Sequence, residues 1–274
     1  MLDPSVLGAF DSATFFDRIF SPDSDFARAL WTTIYISIFS MLGGLLLGLI
    51  SALAGQSRLL PLRFLNGIYV TVVRGTPVIV QAFFLYFGAS LLLGFDMFPR
   101  ETDLLGMQVK GAVLAGIAAL AINEGAYMSE IIRAGLKSVD DGQLESAMSL
   151  GMTRGQGMRK IVLPQAARII VPPLGNEFNN MMKTTSLLSF IGINEMFQDA
   201  QIRYSNDAKS AEHLAAVGVW YLLLTIVWSL TQAYIERRLD PAGKSDRKPS
   251  LLKRLTGGGD AEPEKQTVEA GGHV

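Results

Sequence analysis

Residues 29–57 read ALWTTIYISIFSMLGGLLLGLISALAGQS, a run of 29 residues that contains no Asp, Glu, Lys, Arg or His. The hydrocarbon core of a bilayer is about 30 Å thick and requires roughly 20 helical residues, so this run is long enough to cross it with a tilt. A helix is expected because it satisfies every backbone polar group within its own segment. Gly44 and Gly48 permit a close contact with another helix.

Four more apolar stretches follow the first. Residues 75–95 and 214–235 are uncharged, whereas about 111–132 and 169–192 are apolar with a few polar or charged interruptions. Charged residues make up 18% of the chain, below the roughly 25% of an average soluble domain. These features predict an all-α integral membrane protein with five transmembrane helices.

The connecting segments differ in their content of Lys and Arg. One set carries sixteen of these residues and the alternate set carries six; the richer set is 58–74, 133–168 and 236–254, and the poorer set is 1–28, 94–110 and 193–212. Because basic residues concentrate in cytoplasmic loops, the amino terminus is predicted to lie outside and the carboxyl terminus in the cytoplasm.

The same pattern divides the chain into three regions. Residues 1–25 are predicted to be an extracytoplasmic segment, and residues 26–240 a transmembrane domain with a cytoplasmic loop at about 134–168. Residues 241–274 are rich in Pro, Gly, Lys and Glu, a composition that predicts a disordered tail.

Several kinds of site are not predicted. The chain has no Cys, which excludes disulfides and thiolate zinc sites, and its only histidines are His213 and His273, too few for a histidine-rich metal site or a Ser–His–Asp triad to be expected. Residues 243–245 read GKS like the end of a phosphate-binding loop, but Arg238 stands where that loop needs glycine. We therefore expect no catalytic residue, metal, bound ATP or nucleic acid in this chain.

The loop at 134–168 carries helix signals. Asp140 and Asp141 are suited to cap a helix over 142–150, and Gly151 is suited to end it in a left-handed conformation. A second short helix is predicted from about residue 153 to 162, ended by Pro164 before the next span.

The first of these helices has an apolar face. Leu144, Ala147 and Met148 follow helical spacing, with Leu150 to one side. An exposed apolar stripe of this kind fits a groove in a partner protein. It fits equally a helix that lies on its own membrane domain, and spacing alone leaves both open.

This loop resembles a known motif. It matches the EAA motif of ABC import permeases at Glu145, Ser146, Ala147, Gly151, Ile161, Leu163 and Pro164, with Ser146 in place of the usual alanine. The resemblance implies that these residues form a coupling helix that docks on a cytoplasmic ATP-binding subunit.

Further motifs are similar to those of the polar amino acid branch, the histidine/glutamine permease family. They are Arg74-Gly75-Thr76-Pro77, Ala126-Tyr127-x2-Glu130-Ile131-x-Arg133, Pro172-Pro173-Leu174-Gly175-Asn176 and Lys183-x-Thr185-Ser186-Leu187. The resemblance implies the permease fold of type I ABC importers in a bacterial plasma membrane. It also implies a second permease chain, an external solute-binding protein, and ATP and Mg on separate ATPase subunits, with no cofactor in this chain.

Polar residues inside the spans are candidates for the substrate path, because an ionisable group there costs about 2.5–3.5 kcal/mol on insertion scales and marks a cavity or a partner. The candidates are Glu124, Asn176, Glu177, Asn180, Lys183 and Thr184. We expect Lys183 to bind the α-carboxylate of an amino acid, and Glu177, with Glu124, to face an amine or a cationic side chain. A basic amino acid is therefore favoured.

Purely structural roles are also open for some polar residues of the spans. Asn side chains in a span can bridge helices, Glu130 and Arg133 are expected to pair near the inner surface, and Arg74 is expected to anchor the inner membrane interface.

Two other functional classes are alternatives to an ABC permease. An ion-driven secondary amino acid transporter would be expected to show inverted repeats, and an intramembrane enzyme would need a catalytic constellation in a span; neither is found in the sequence. The identity of the amino acid and the choice between homodimer and heterodimer stay open.

Overall fold

The computed structural model describes residues 10–104 and 107–239, and the tail predicted to be disordered lies outside them. The described chain is mostly helical. Its helices are α1 Ser12–Phe20, α2 Ser24–Gly55, α3 Leu60–Gly75, α4 Val78–Phe83, α5 Ala89–Leu93, α6 Gly111–Lys137, α7 Asp141–Ser149, α8 Arg154–Gly157, α9 Leu163–Thr184, α10 Met196–Asp207 and α11 Ser210–Leu239. Wider π-helical turns join α4 to α5 and α8 to α9, and a 3-10 turn, Thr185–Ile191, follows α9.

Helices α2 and α6 form the closest pair of the bundle, because small residues on α2 let the backbones approach. A Cβ atom added at Gly48 would lie 2.6 Å from the Cβ of Met128, and one added at Gly44 would lie 2.9 Å from the Cβ of Glu124. The Gly44–Gly48 pattern therefore does make a close helix contact, and it places Glu124 beside α2.

Among the described residues, three helices are long and apolar enough to cross a membrane, namely α2, α6 and α11. The pair formed by α3 with the segment Val78–Leu93 makes a fourth when it is counted as one bent span. The stretch predicted as a span at 169–192 is the more polar helix α9 and the 3-10 turn after it. The count of five spans and the orientation stay predictions.

The second span differs from its prediction. Residues 58–74 were expected to be a cytoplasmic loop, but Leu60–Gly75 is helix α3, and the chain then bends by 108° before the next helix. We call the residues of this bend, 74–81, the elbow. Pro77 explains it, because proline disfavours the helical conformation in the residue before it, and Thr76 is extended with φ −122° and ψ 146°.

A short β-hairpin corrects the all-α prediction. Strand β1, Glu101–Leu104, pairs antiparallel with strand β2, Met107–Lys110, between α5 and α6. The hairpin lies in the segment predicted to face outside.

An ion pair and a hydrogen bond join helices at the end of the bundle that is predicted to lie outside. Arg203 of α10 donates from both terminal nitrogens to the carboxylate of Asp23, each at 2.8 Å. The Arg203 guanidinium and the Phe26 amide hold the pKa of Asp23 well below its ordinary value. Trp220 of α11 donates to the backbone carbonyl of Arg18 in α1 at 3.2 Å. These contacts join α10 to the start of α2, which Asp23 caps, and α11 to α1.

Candidate substrate cavity and coupling loop

A cavity of about 310 Å³ lies between α4, α6 and α9, at the low end of the size range of ligand pockets. Its lining is mixed polar and apolar: Val78, Leu120, Asn123, Glu124, Tyr127, Glu177, Asn180, Met181 and Thr184. We call this space the central cavity.

The structure brings four of the six predicted path residues together at this cavity. Glu124 comes from α6, and Glu177, Asn180 and Thr184 come from α9, where their spacing of three and four places them on one helical face.

Asn176 and Lys183 are not among the lining residues, and both are exposed in this chain. Asn176 and Lys183 each come one residue before a lining residue, Glu177 and Thr184, and so lie about 100° of helix rotation away from the face that lines the cavity. The expected contact of Lys183 with the substrate carboxylate stays a prediction. Within the described part of the chain no Lys, Arg or His lines the cavity.

Glu124 is a buried ionisable residue of the cavity lining. It is 7% exposed, and its Oε1 atom has no hydrogen-bond partner among the described residues. A buried polar atom without a partner costs about 1–3 kcal/mol. Glu177 lines the same cavity, so two carboxyl groups are available to a ligand that brings N–H donors or positive charge.

The elbow forms another part of the cavity wall through Val78. The Gln81 side chain donates to the carbonyl of Val73 at 2.8 Å and to that of Thr76 at 3.1 Å, which satisfies carbonyls that the end of α3 leaves free. Its oxygen accepts from Asn123 Nδ2 at 3.2 Å. The sequence analysis missed Gln81, because its role depends on a partner 42 residues away.

Arg74 lies at the end of α3, beside the middle of α6. Helix α3 runs along α6, so that Tyr69 donates to the carbonyl of Ile122 at 2.7 Å, and the Arg74 guanidinium lies over the ring of Tyr127, 5.0 Å from its centre. Tyr127 is near the middle of α6 and lines the central cavity. The anchoring role stays a prediction, and the contact with Tyr127 is a further feature of Arg74.

Helix α11 supports α9 where two prolines, Pro172 and Pro173, interrupt its backbone hydrogen bonds. Trp228 donates to the carbonyl of Gly175 at 2.7 Å, and Gln232 donates to that of Pro172 at 3.1 Å. The close approach needs a glycine, because a Cβ at Gly175 would lie 2.5 Å from the Gln232 side chain.

Two of the purely structural roles are confirmed at specific residues. Asn179 accepts a hydrogen bond from Thr225 at 3.1 Å and so bridges α9 to α11. Glu130 and Arg133 form an ion pair within α6, outside the cavity lining.

The first helix of the coupling loop forms as predicted. Helix α7 spans Asp141–Ser149, and the Asp140 side chain accepts from the Gly142 amide at 2.7 Å. Gly151 has φ +85°, in the left-handed region that favours glycine. The Met152 amide then donates to the Ala147 carbonyl at 3.1 Å, which completes the helix end.

The second helix does not end at Pro164. Helix α8 begins after a capping box formed by Thr153 and Gln156, and it continues through a π-helical turn, Met158–Val162, directly into α9. A proline inside a helix collides with the carbonyl four residues earlier. The wide turn ahead of Pro164, in which the Leu163 amide bonds to the Met158 carbonyl five residues back, provides room for the ring.

The apolar residues of α7 divide between two environments. Ala147 is buried and Leu144 packs with Val162 and Ala166 on the chain's own core. Met148 is 42% exposed and Leu150 82% exposed. One side of α7 therefore lies on its own membrane domain, which confirms that alternative for this side, and the other side is exposed; docking on a partner protein stays a prediction.

The other predicted coupling residues are mostly at the surface. Glu145, Ser146, Gly151, Leu163 and Pro164 are exposed and Ile161 is half-buried. Among the described residues no group of three or more His, Asp or Glu is placed to hold a metal ion.

Comparison with known proteins agrees with this geometry. The family described as "Binding-protein-dependent transport system inner membrane component" matches residues 44–241. The chain is 38% identical to the probable amino-acid permease protein YxeN of Bacillus subtilis, over 77% of this chain and 90% of that one. It is 34% identical to the arginine transport system permease protein ArgU of Corynebacterium glutamicum, over 88% of this chain and 75% of that one.

The fold is also that of a solved transporter. A crystal structure of an amino acid ABC transporter with histidines superposes with a TM-score of 0.68 and 36% identity, covering 78% of this chain and 94% of that one. The fold is therefore that of type I ABC importer permeases. This fold argues against the alternative of an ion-driven secondary transporter. The chain belongs to the family of inner membrane components of binding-protein-dependent transport systems, as an ABC transporter permease for amino acid import.

Proposed function

We propose that this permease carries a basic amino acid, such as arginine, through the central cavity. The observation that carries the proposal is the buried Glu124 carboxyl, which has an oxygen without a partner among the described residues and shares the cavity with Glu177. Two carboxyl groups with no cation among the lining residues favour a ligand of positive net charge.

The charges of a basic amino acid match this lining. It presents an α-ammonium group and a cationic side chain, so each carboxylate has one partner, and ion pairs inside a low-dielectric site are stronger than in water. The resemblance to a permease whose name states arginine transport supports the same class of substrate.

Energy for transport comes from separate subunits in this proposal. The free side of α7, with Met148 and Leu150 exposed beside Glu145, docks into a groove of a cytoplasmic ATPase that holds ATP and Mg. The chain itself hydrolyses no ATP and needs no cofactor.

The full assembly contains further partners. A second permease chain completes the path, an external binding protein delivers the substrate, and the complex lies in the bacterial plasma membrane. We retain five spans, with the amino terminus outside and the carboxyl terminus inside, and the regions 1–25, 26–240 and 241–274.

The test is ATP-dependent uptake by the complete transporter in proteoliposomes. Glu124→Gln removes a charge without changing the shape of the side chain, and a charge-assisted hydrogen bond is worth about 1.5–3 kcal/mol, so arginine uptake should fall about 10- to 100-fold at subsaturating substrate. Glu130→Gln is the matched control, because Glu130 pairs with Arg133 outside the cavity lining. Unchanged arginine uptake by Glu124→Gln would show that the carboxylate does not recognise the substrate.

A further inference from the structure

We propose that Arg74 is the cation that binds the α-carboxylate of the transported amino acid. The proposal rests on the proposed function, since it takes the central cavity as the substrate site. An amino acid brings a carboxylate as well as an ammonium group, and within the described residues the lining of the cavity provides carboxyl groups but no cation.

The depth of Arg74 is the first argument. Its ring partner Tyr127 is the 17th of the 27 residues of α6, about 24 Å from the start of that helix at 1.5 Å per residue. The elbow's other contact, Asn123, is the 13th. A guanidinium at this depth of a membrane helix is costly unless it faces water, a partner or a substrate.

The unused donors of Arg74 are the second argument. Arg74 is exposed and does not itself line the cavity, and within residues 10–104 and 107–239 its recorded contact is the stack on Tyr127. Stacking uses the face of the guanidinium and leaves its N–H donors free in the plane, in the fork geometry that binds a carboxylate through two hydrogen bonds.

The spacing on α6 is the third argument. The carboxylate and ammonium groups of an amino acid share one carbon atom, so their partners must be close together. Glu124 and Tyr127 are three residues apart on one helix, which places their Cβ atoms about 5–6 Å apart. The α-ammonium group can therefore meet Glu124 while the α-carboxylate meets the guanidinium stacked on Tyr127.

The net charge of the proposed site also favours a basic amino acid. Glu124, Glu177 and Arg74 together carry one net negative charge when all three are ionised, and a basic amino acid carries one net positive charge. A neutral amino acid would leave one carboxylate without a partner.

The elbow keeps Arg74 in this place. Gln81 binds the carbonyls of Val73 and Thr76 and accepts from Asn123, so the last turn of α3 is fixed to the wall of the cavity. Gln81 is a positioning residue here, because its bonds hold the backbone that carries Arg74 and do not reach the substrate.

The test measures binding to the purified complex of permease and ATPase without the binding protein, by calorimetry. The probes are L-arginine and its α-amide, which lacks the carboxylate charge, and L-glutamine with its α-amide serves as a second pair. Arg74→Gln should raise the Kd for arginine about 10- to 100-fold, as expected for loss of a charge-assisted hydrogen bond, and should change the Kd for the amide less than about threefold. Arg74→Lys should recover part of the preference for the acid over the amide.

Arg63→Gln is the matched control, because Arg63 lies on the same helix three turns earlier and lines another surface. Co-elution of the ATPase subunit with each variant verifies assembly, and Arg74→Lys provides the answer if Arg74→Gln fails to assemble. Equal weakening of acid and amide by Arg74→Gln would overturn the role of Arg74 and leave the cavity as the site. Wild-type complex that binds neither arginine nor glutamine would overturn the substrate cavity itself. Binding of glutamine alone, with its preference over the amide lost in Arg74→Gln, would support Arg74 and refute the preference for basic amino acids.

Discussion

Replacement of Gly48 by alanine tests whether α2 and α6 pack as closely as the structure shows. The added methyl group would lie 2.6 Å from the Cβ of Met128 and 3.2 Å from the backbone oxygen of Gly125. Neither atom is the end of a flexible side chain, so the clash is relieved only when the two helices move apart.

The magnitude follows from comparison with a second glycine. Overpacking of a tight contact costs about 1–3 kcal/mol, whereas alanine gains up to about 1 kcal/mol over glycine in a helix. Gly218 of α11 is the matched control, because a Cβ there has nothing within 4 Å. Both variants gain the same helix preference, so Gly48→Ala should be about 1–3 kcal/mol less stable than Gly218→Ala.

The assay is reversible unfolding of the purified chain in mixed micelles, followed by tryptophan fluorescence and circular dichroism. If Gly48→Ala is as stable as Gly218→Ala within about 0.5 kcal/mol, the size of independent scatter in such values, the close contact between α2 and α6 would be wrong. That result would also remove the reason for the burial of Glu124.

Two further predictions concern the ends of the bundle. Leu150→Asp should abolish co-purification of the ATPase subunit, because a charge replaces the most exposed apolar residue of the coupling loop. The control Ser149→Asp adds the same charge at the preceding exposed residue and should retain most of the co-purification. Equal loss in both variants would contradict docking through Leu150. At the opposite end, the ion pair with Arg203 lowers the pKa of Asp23. This ion pair therefore stabilises the folded state at pH values above the ordinary pKa of aspartate. The stabilisation is lost as the pH falls from that ordinary pKa towards the lowered pKa. The Tm of the wild type should therefore fall more steeply than that of Asp23→Asn between pH 6 and about pH 3, and parallel Tm curves would contradict the ion pair.

The long apolar helices were predictable because their signal is local. The run at 29–57 exceeds the thickness of a bilayer whatever its surroundings, and Gly151 ends α7 through its own backbone conformation. The apolar face of α7 was predicted as well, but the division between Leu144 inside and Leu150 outside depends on what the next helix covers.

The elbow was not predictable from the same kind of signal. Counting Arg74 with the basic residues of 58–74 placed it at the inner surface, although α3 is a helix that carries it along α6 to the middle of the bundle. Without Arg74 the richer side still has fifteen basic residues against six, so the predicted orientation does not depend on it.

The face of α9 that lines the cavity was not predictable from the sequence for a similar reason. A helical wheel orders the residues around α9, but it does not say which side meets α6. A rotation of α9 by about 100° would place Thr184 and Met181, in place of Lys183, on the side that meets α6. That choice is made by α11, whose Trp228 and Gln232 hold the opposite side of α9.

The central claim is that this permease imports a basic amino acid, and the most direct measurement is uptake by the wild-type transporter. Proteoliposomes that contain the permease with its ATPase, supplied with the binding protein, are given labelled arginine or glutamine with and without internal ATP. We predict arginine accumulation that requires ATP and exceeds glutamine accumulation about tenfold or more, the factor that about 1.4 kcal/mol of preference produces. Equal accumulation of both amino acids, or accumulation of glutamine alone, would contradict the claim.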